Sequence, residues 1–237
     1  MNVSYNGSVS VSQNSDRIPT MDADQFRSYI TEVYPEDSEK GKAIRALMGD
    51  ASTDWQDLIF RTAISHDHNV SVYGNYNDIL PYRASVGYTG QQGTLDTSDY
   101  DRATVDISLS PKFFDKHLTV SVNAKGVYTH QNYATDGAVG AAAFMNPTKA
   151  PYWYNEDGSI DYTTTNGYWN WGSGRGENFI PNNLADPGPL QLLYDQWSWA
   201  KVYRFLGNAQ VDYKVHGLEA LRFNLNLGLD WSKSDER

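Results

Sequence analysis

Aromatic side chains concentrate in one part of the chain, and aromatic side chains can bind ligands. Five of the seven tryptophans, Trp153, Trp169, Trp171, Trp197 and Trp199, lie within or beside one long loop, together with Tyr152, Tyr154, Tyr162 and Tyr168. Flat aromatic faces stack on the C–H faces of sugar rings, while neighbouring Asn and Asp side chains bind the hydroxyls. We therefore assign ligand or partner contact to Tyr152, Trp153, Tyr154, Trp169 and Trp171. Packing of the loop against itself is the alternative, and Trp197 and Trp199 suit a strand end at a membrane interface.

Two short motifs could bind metal ions. His66, Asp67 and His68 offer imidazoles and a carboxylate, but no further ligand cluster accompanies them. Asn155, Asp157, Gly158 and Asp161 resemble a calcium loop without its closing bidentate Glu. We expect an ordinary strand and an ordinary turn at these places, and no metal site.

Catalysis would require a nucleophile or an acid beside a histidine. Of the five histidines, only His130 falls near the rim of a predicted strand, and no partner is evident beside it. We assign no catalytic residue and expect no cofactor.

Composition excludes some classes of function. The 237 residues contain 19 Lys and Arg against 29 Asp and Glu, a formal charge of −10, which argues against nucleic acid as a partner. The absence of cysteine excludes disulfides and thiolate metal sites. No apolar run approaches the roughly 18 residues of a membrane helix, and Met1 is followed by no signal-like segment, so an exported protein would begin upstream.

The elements that must hold these residues are strands with a period of two. Apolar and polar residues alternate in about seven segments, near 3–12, 69–75, 82–89, 103–110, 118–125, 208–215 and 221–231. The pattern fits a soluble antiparallel sandwich, in which Leu221, Phe223, Leu225, Leu227 and Leu229 would pack on a second sheet, and it equally fits a membrane β-barrel.

Two observations favour the membrane barrel. Leu118 to Tyr128 and Leu221 to Trp231 each run from an apolar start to an aromatic end, a rise of about 25 Å for tilted strands. The connections also alternate in length: those at 13–68, 90–99 and 133–199 are longer, and those at 77–81, 111–117 and 216–220 are short. Short helices are predicted in the first long connection, over 22–33 with Asp22 as N-cap and over 38–48 with Gly49 as the stop.

Three longer motifs carry a resemblance to a known family. They run from Thr53 to Val72 (TDWQDLIFRTAISHDHNVSV), from Leu109 to Leu118 (LSPKFFDKHL), and from Asp136 to Thr148 (DGAVGAAAFMNPT), the last followed by the turn Tyr154 to Gly158. They are similar to segments of SusC/RagA-type TonB-dependent outer-membrane transporters. In that family His66 and His68 belong to a strand entry.

The resemblance implies the fold class: an all-β chain forming the N-terminal part of a large antiparallel transmembrane β-barrel, about seven of roughly 22 strands. Residues 1–237 would be a partial barrel domain, without the plug and the remaining strands, and 13–68 and 133–199 would be extracellular loops. Arg83, Asp106, Lys125, Asp212, Lys214, Arg222 and Asp230 would face the lumen.

The function implied is TonB-dependent import of a nutrient, a glycan or oligosaccharide in the first place or a peptide, across the bacterial outer membrane. Its partners would be a SusD-like surface lipoprotein, the TonB complex acting through the absent plug, and outer-membrane lipid. A soluble β-sandwich carbohydrate-binding module and an outer-membrane barrel enzyme are the alternatives.

Overall fold

The computed structural model describes all residues from Met1 to Arg237, and its main element is one antiparallel sheet. The strands are β1 Asn2–Ser12, β2 Ala63–Tyr76, β3 Leu80–Gln92, β4 Asp99–Leu109, β5 Lys112–Phe113, β6 Leu118–Tyr133, β7 Gly172–Ser173, β8 Ile180–Pro181, β9 Ser198–Lys214 and β10 Arg222–Glu236. The helices are α1 Ala23–Val33, α2 Glu39–Ala46, α3 Gly137–Phe144 and α4 Pro189–Tyr194. None of these helices has the length and apolar character needed to cross a membrane.

Seven long strands follow one another across the sheet in chain order, β1-β2-β3-β4-β6-β9-β10, and every neighbouring pair is antiparallel. Short β5 extends the edge of β6, and β7 pairs only with β8 in a separate ribbon. The predicted seven strands and loop helices are therefore confirmed. The predicted end of the first long connection, at His68, is wrong, because β2 already begins at Ala63.

The connections fall at two ends of the sheet. At one end Ser12 pairs with Ala63, and this end carries 13–62, 93–98 and 134–197. The other end carries the three short turns, and the tightest of these places Asn77 and Asp78 at φ 49° and 55°. Asn and Asp suit these positions because they tolerate the left-handed region better than most other non-glycine residues.

The two faces of the sheet differ in chemistry because the side-chain period of a strand is two. The register aligns Val72, Ala84, Ile107, Ala124 and Leu229 on one face, which we call the aliphatic face. The opposite, polar face carries all seven charged residues assigned to the lumen: Arg83, Asp106, Lys125, Asp212, Lys214, Arg222 and Asp230. Arg222 and Asp212 form an ion pair there at 2.9 Å, and the sequence analysis missed Arg204, which pairs with Asp230 at 2.6 Å.

Nothing covers the aliphatic face. Leu225, Leu227 and Leu229 are 57–61% exposed, and the buried hydrophobic cluster of the chain lies in the loops instead. The prediction from a soluble sandwich, that this row packs on a second sheet, is therefore wrong. The seven long strands form a single sheet layer, and the hydrophobic core lies in the loops at one end of that sheet.

Aromatic residues mark the end of the aliphatic face that lies nearer the long loops. The register places His68, Tyr88, Tyr128 and Tyr203 in one cross-strand row, and the next row towards the loops contains His66, Asp101, His130 and Lys201. The rings of Tyr128 and Tyr203 are 5.0 Å apart. This face thus changes from aliphatic to aromatic to ionisable within four residues of a strand.

Candidate functional site

The two long connections, residues 13–62 and 134–197, pack together into one unit, which we call the loop body. Its hydrophobic core consists of Trp55, Ile59, Ala138, Ala141, Ala142, Met145, Trp169, Leu190, Leu192 and Leu193. Ile59 is fully buried and Trp55 is 3% exposed. The core residues come from both connections, so neither connection could bury its apolar side chains alone.

A hydrogen-bonded seam joins the first and third family-like motifs inside the loop body. Thr148 O accepts from the N–H of Ala51 at 3.2 Å, and Pro147 O accepts from the N–H of Thr53 at 2.9 Å. The indole N–H of Trp55 donates to Asn146 O at 3.0 Å. These bonds satisfy main-chain groups of both segments, and the bond from the Trp55 indole is the one of the three that requires a particular side chain.

Arg61 ties a third connection to this unit. Its guanidinium donates to Gly93 O at 3.1 Å and Ser98 O at 2.8 Å, and it forms ion pairs with Asp96 at 3.1 Å and Asp99 at 2.8 Å. A planar guanidinium with five donors suits such a convergent set of acceptors.

Tyr194 continues the same network from helix α4. Its hydroxyl donates to Asp96 at 2.5 Å. Burial first, and then the hydrogen bond and negative charge of Asp96, raise the pKa of Tyr194 far above its ordinary value. The phenol therefore stays protonated, and it keeps the hydrogen bond that links the end of the long loop to the 93–98 turn.

The predicted aromatic residues form an array of tilted and edge-to-face rings. Trp169 lies at its centre, with ring centroids 6.0 Å from Trp153, 5.0 Å from Trp171 and 6.3 Å from Trp55. Trp169 is only 8% exposed, whereas Trp153 and Trp171 are half-buried. Packing therefore accounts for most of the Trp169 side chain, as the alternative prediction had it.

The two predicted tyrosines lie beside this array. Tyr152 packs on the core, and its ring lies 5.8 Å from that of Tyr168 in a tilted arrangement, whereas Tyr154 is exposed. The Arg175 guanidinium lies 5.5 Å from the Trp153 ring and also donates to Tyr154 O at 2.6 Å. Neither tyrosine lines the cavity described next.

A groove of about 690 Å³ runs along the array, and we call it the Trp groove. One wall is formed by Trp153, Trp169 and Trp171 with the β7–β8 ribbon. The opposite wall consists of apolar residues from α1, from α2 and from the turn after α2, namely Phe26, Ile30, Ile44, Leu47 and Met48. The groove lies within the size range of ligand sites, roughly 300–1,000 Å³.

Side-chain caps stabilise the first turns of α1 and α2, the two helices that contribute to the apolar wall. Asp22 caps α1 by accepting from the N–H groups of Asp24 and Gln25, and Ser38 caps α2 by accepting from that of Gly41. The Asp22 cap was predicted, whereas α2 was predicted over 38–48 with Gly49 as its stop and ends earlier, at Ala46. Arg27 of α1 donates to Gly49 O and to Ala51 O at 3.2 and 2.6 Å, which fixes the helix to the seam.

The two motifs that were considered as metal sites, one in a strand and one in a loop, have polar contacts within the chain. His66 and His68 lie in β2, where His68 contacts the Tyr5 hydroxyl at 2.8 Å. Around Asp161 the hydroxyls of Thr163 and Thr164 donate at 2.5 and 2.9 Å, and Arg175 lies 3.2 Å away. The Thr163 hydroxyl first, and then the other donors and the charge of Arg175, lower the pKa of Asp161. No group of three or more potential metal ligands is found in the chain.

His130, the residue singled out for an enzyme, lies on the aliphatic face of β6. Its cross-strand neighbours are Asp101 and Lys201. It therefore lies outside the Trp groove and apart from the aromatic array.

Known proteins similar to this chain include receptors of one class. The chain is 38% identical over 241 residues to "TonB-dependent receptor SusC" of Bacteroides thetaiotaomicron, which covers 99% of this chain and 23% of the relative. It is 30% identical over 112 residues to "TonB-dependent receptor P3" of Formosa agariphila, covering 46% of this chain and 10% of the relative. This chain thus spans about a quarter of the length of the first relative. No model of a protein family matches it.

Solved structures share the fold. The RagAB peptide transporter superposes with a TM-score of 0.66 at 15% identity, covering 98% of this chain and 28% of that chain. The RagAB peptide importer in its "open-open" state gives 0.63 at 15% identity, with the same coverage. The seven-stranded wall with its loop body therefore has the architecture of part of such a barrel.

Proposed function

Because this chain belongs to the SusC/RagA-type TonB-dependent receptors, we propose that it contributes a wall segment and two outer loops to a bacterial outer-membrane importer. The complete importer would take up a nutrient of the glycan or peptide class. Energy would come from the TonB complex, acting through a plug domain, and a SusD-like surface lipoprotein would be the partner at the loops.

One observation carries the membrane part of this proposal: the uncovered aliphatic face. In water, exposed leucines in rows such as Leu225, Leu227 and Leu229 would promote association. In lipid, the same rows need no protein cover. The aromatic row with Tyr128 and Tyr203, followed by ionisable Asp101, His130 and Lys201, supports an interface with headgroups at the loop end.

The lumen part rests on the polar face. Ion pairs such as Arg204–Asp230 and Arg222–Asp212 stand opposite the aliphatic rows on the same strands. A water-filled or plugged lumen solvates such groups, whereas lipid would not.

The orientation follows from the length of the connections. Long connections at one end and short turns at the other are typical of outer-membrane barrels, whose long loops are extracellular. We propose that 13–62, 93–98 and 134–197 face the outside, and that 77–79, 110–117 and 215–221 face the periplasm.

Epitope insertion in the complete receptor tests this orientation. A tag at Leu184, which is 97% exposed in the loop body, should be labelled by antibody on intact cells. A tag between Asn77 and Asp78 should be labelled only after the outer membrane is permeabilised. Labelling of both tags on intact cells would contradict the orientation.

Uptake of labelled oligopeptides and oligosaccharides by cells that carry the complete receptor tests the transport proposal. Uptake of at least one class should disappear when TonB is deleted and return with the gene. Equal uptake with and without TonB, or no receptor-dependent uptake of either class, would overturn the proposed function.

A further inference from the structure

The chemistry of the Trp groove distinguishes between the two substrate classes. We infer that the groove binds oligopeptides with apolar side chains, and that Lys149 receives a carboxylate of the peptide. The inference rests on the proposed function, since it names the substrate class of that importer.

The wall opposite the tryptophans is aliphatic where a sugar site would need polar groups. Ile30, Ile44, Leu47 and Met48 line it with Phe26, and Leu47 is 67% exposed. A sugar ring presents one C–H face to an aromatic ring, but its hydroxyls around the edge require partners. Apolar walls on both sides instead fit branched or aromatic side chains, whose burial is favourable by about 25 cal/mol per Å².

Two side-chain acceptors in the groove already accept hydrogen bonds from the chain itself. The Asn146 side-chain oxygen accepts from the N–H and the hydroxyl of Thr148 at 2.9 and 2.7 Å. The Asn182 side-chain oxygen accepts from the N–H of Leu184 at 3.0 Å. The lining contains no Asp and no Glu.

Donors remain in the groove. The polar side chains of the lining are those of Asn146, Asn182, Lys149 and Ser173. The two amide NH₂ groups and the Lys149 ammonium are donors, and the Ser173 hydroxyl can both donate and accept. Sugar hydroxyls need both donors and acceptors, whereas peptide carbonyls and carboxylates only accept. The balance of groups therefore favours a peptide.

Lys149 is the single charged residue of the lining. Its ammonium lies 5.9 Å from the centroid of the Trp169 ring and has no carboxylate within ion-pair distance in the chain. A ligand carboxylate would give this half-buried cation a charge-assisted hydrogen-bond partner beside apolar side chains. This complementarity specifies an anionic end for the bound peptide.

Equilibrium binding to the purified complete receptor tests the inference. The probes are a pool of pentapeptides built from Leu, Ile, Phe and Val with a free C-terminus, the same pool with an amidated C-terminus, and a pool of malto-, xylo- and manno-pentaose. Retained ligand is quantified by mass spectrometry.

Two pairs of variants separate the contacts. Leu47→Asp should weaken binding of both peptide pools by at least about tenfold, which corresponds to roughly 1.4 kcal/mol. Its control, Leu184→Asp, lies at an exposed position outside the groove and should leave peptide binding unchanged. Lys149→Gln should weaken the free-acid pool by about tenfold and leave the amidated pool unchanged. Lys42→Gln, on the exposed surface of α2, should affect neither pool.

The outcomes separate this inference from the proposed function. Three results would overturn the inference, even if TonB-dependent uptake continues. These are retention of the sugars instead of the peptides, no retention of peptides, and peptide binding that is unchanged in the Leu47→Asp and Lys149→Gln variants. Peptide binding with the expected variant pattern but without TonB-dependent uptake would support the groove and contradict the proposed importer.

Discussion

The sheet and the loop body use apolar residues in opposite ways. The sheet displays Leu225, Leu227 and Leu229 without any protein cover, whereas the loop body buries Trp55 and Ile59 almost completely. The two regions therefore differ in where their apolar side chains lie: on an uncovered face in the sheet, and in a packed core in the loop body. In the proposed importer, lipid would cover the face of the sheet.

The largest expected effect is on the loop-body core. Trp55→Ala should remove about 3–5 kcal/mol of stability from the loop body, because it leaves a large cavity and loses the bond to Asn146 O. Protease cleavage within 13–62 and 134–197 of the complete receptor should accelerate, while the strands stay protected. Trp197→Ala, at a position that is 77% exposed, is the matched control and should not accelerate cleavage.

The next largest effect is on the aliphatic face. Leu227→Arg should destabilise the membrane-inserted receptor by about 2–4 kcal/mol if the residue lies near the middle of the bilayer. Asn226→Arg, one residue away on the polar face, loses only a hydrogen bond to Asn208 and should cost far less. Denaturant unfolding in liposomes measures both variants, and equal destabilisation would remove the distinction between the two faces.

A smaller effect concerns the link between the loops. Tyr194→Phe removes the hydroxyl that donates to Asp96, and should cost about 1–2 kcal/mol of loop-body stability. Hydrogen exchange of 93–98 and of α4 should increase together. An increase confined to α4 would mean that this bond does not couple the two connections.

The smallest effect is a pH dependence in the loop body. The lowered pKa of Asp161 means that its ionised form is stabilised in the folded loop, so its contribution is present above the ordinary value of 3.8 and is lost as pH falls through the folded pKa. Hydrogen exchange of 160–176, corrected for intrinsic rates, should increase on acidification below about pH 4. Asp161→Asn should show no such acid step, and an identical step in that variant would assign it to another group.

The sheet was predictable from the sequence because a strand period is local. Alternation at 103–110 and 221–231 indicated the two faces of each strand, and Asp22 indicated the start of α1 as its N-cap. The strand ends were less clear. β2 begins at Ala63 because His66 and Asp67 continue the pairing with β1 and β3, although their polarity obscured the pattern.

The loop helices α3 and α4 were missed for physical reasons. Gly137–Phe144 consists of small and apolar residues without polar alternation, and Asp136 before it makes no capping hydrogen bond. Helix α4 has only six residues and begins with Pro189. Both helices are stabilised by tertiary packing on each other and on Trp55, which no local pattern records.

One wall of the Trp groove could be predicted from the sequence, and the other could not. Composition pointed to Trp153, Trp169 and Trp171, which share one wall of the Trp groove. The opposite wall comes from Phe26 to Met48, more than a hundred residues earlier in the chain. Arg27 of α1 ties this wall to the segment beside the seam through Gly49 O and Ala51 O, and no local sequence pattern indicates that long-range contact.

The central claim is that the aliphatic face lies in lipid and the polar face in the lumen. The chain contains no cysteine, so single cysteines can be placed along β10 of the complete receptor in a cysteine-free background, from Phe223 to Asp230. A fluorophore at each position is then quenched by brominated lipids. The claim predicts strong quenching at Phe223, Leu225, Leu227 and Leu229 and weak quenching at the positions between them. Uniform quenching, or a reversed alternation, would contradict it.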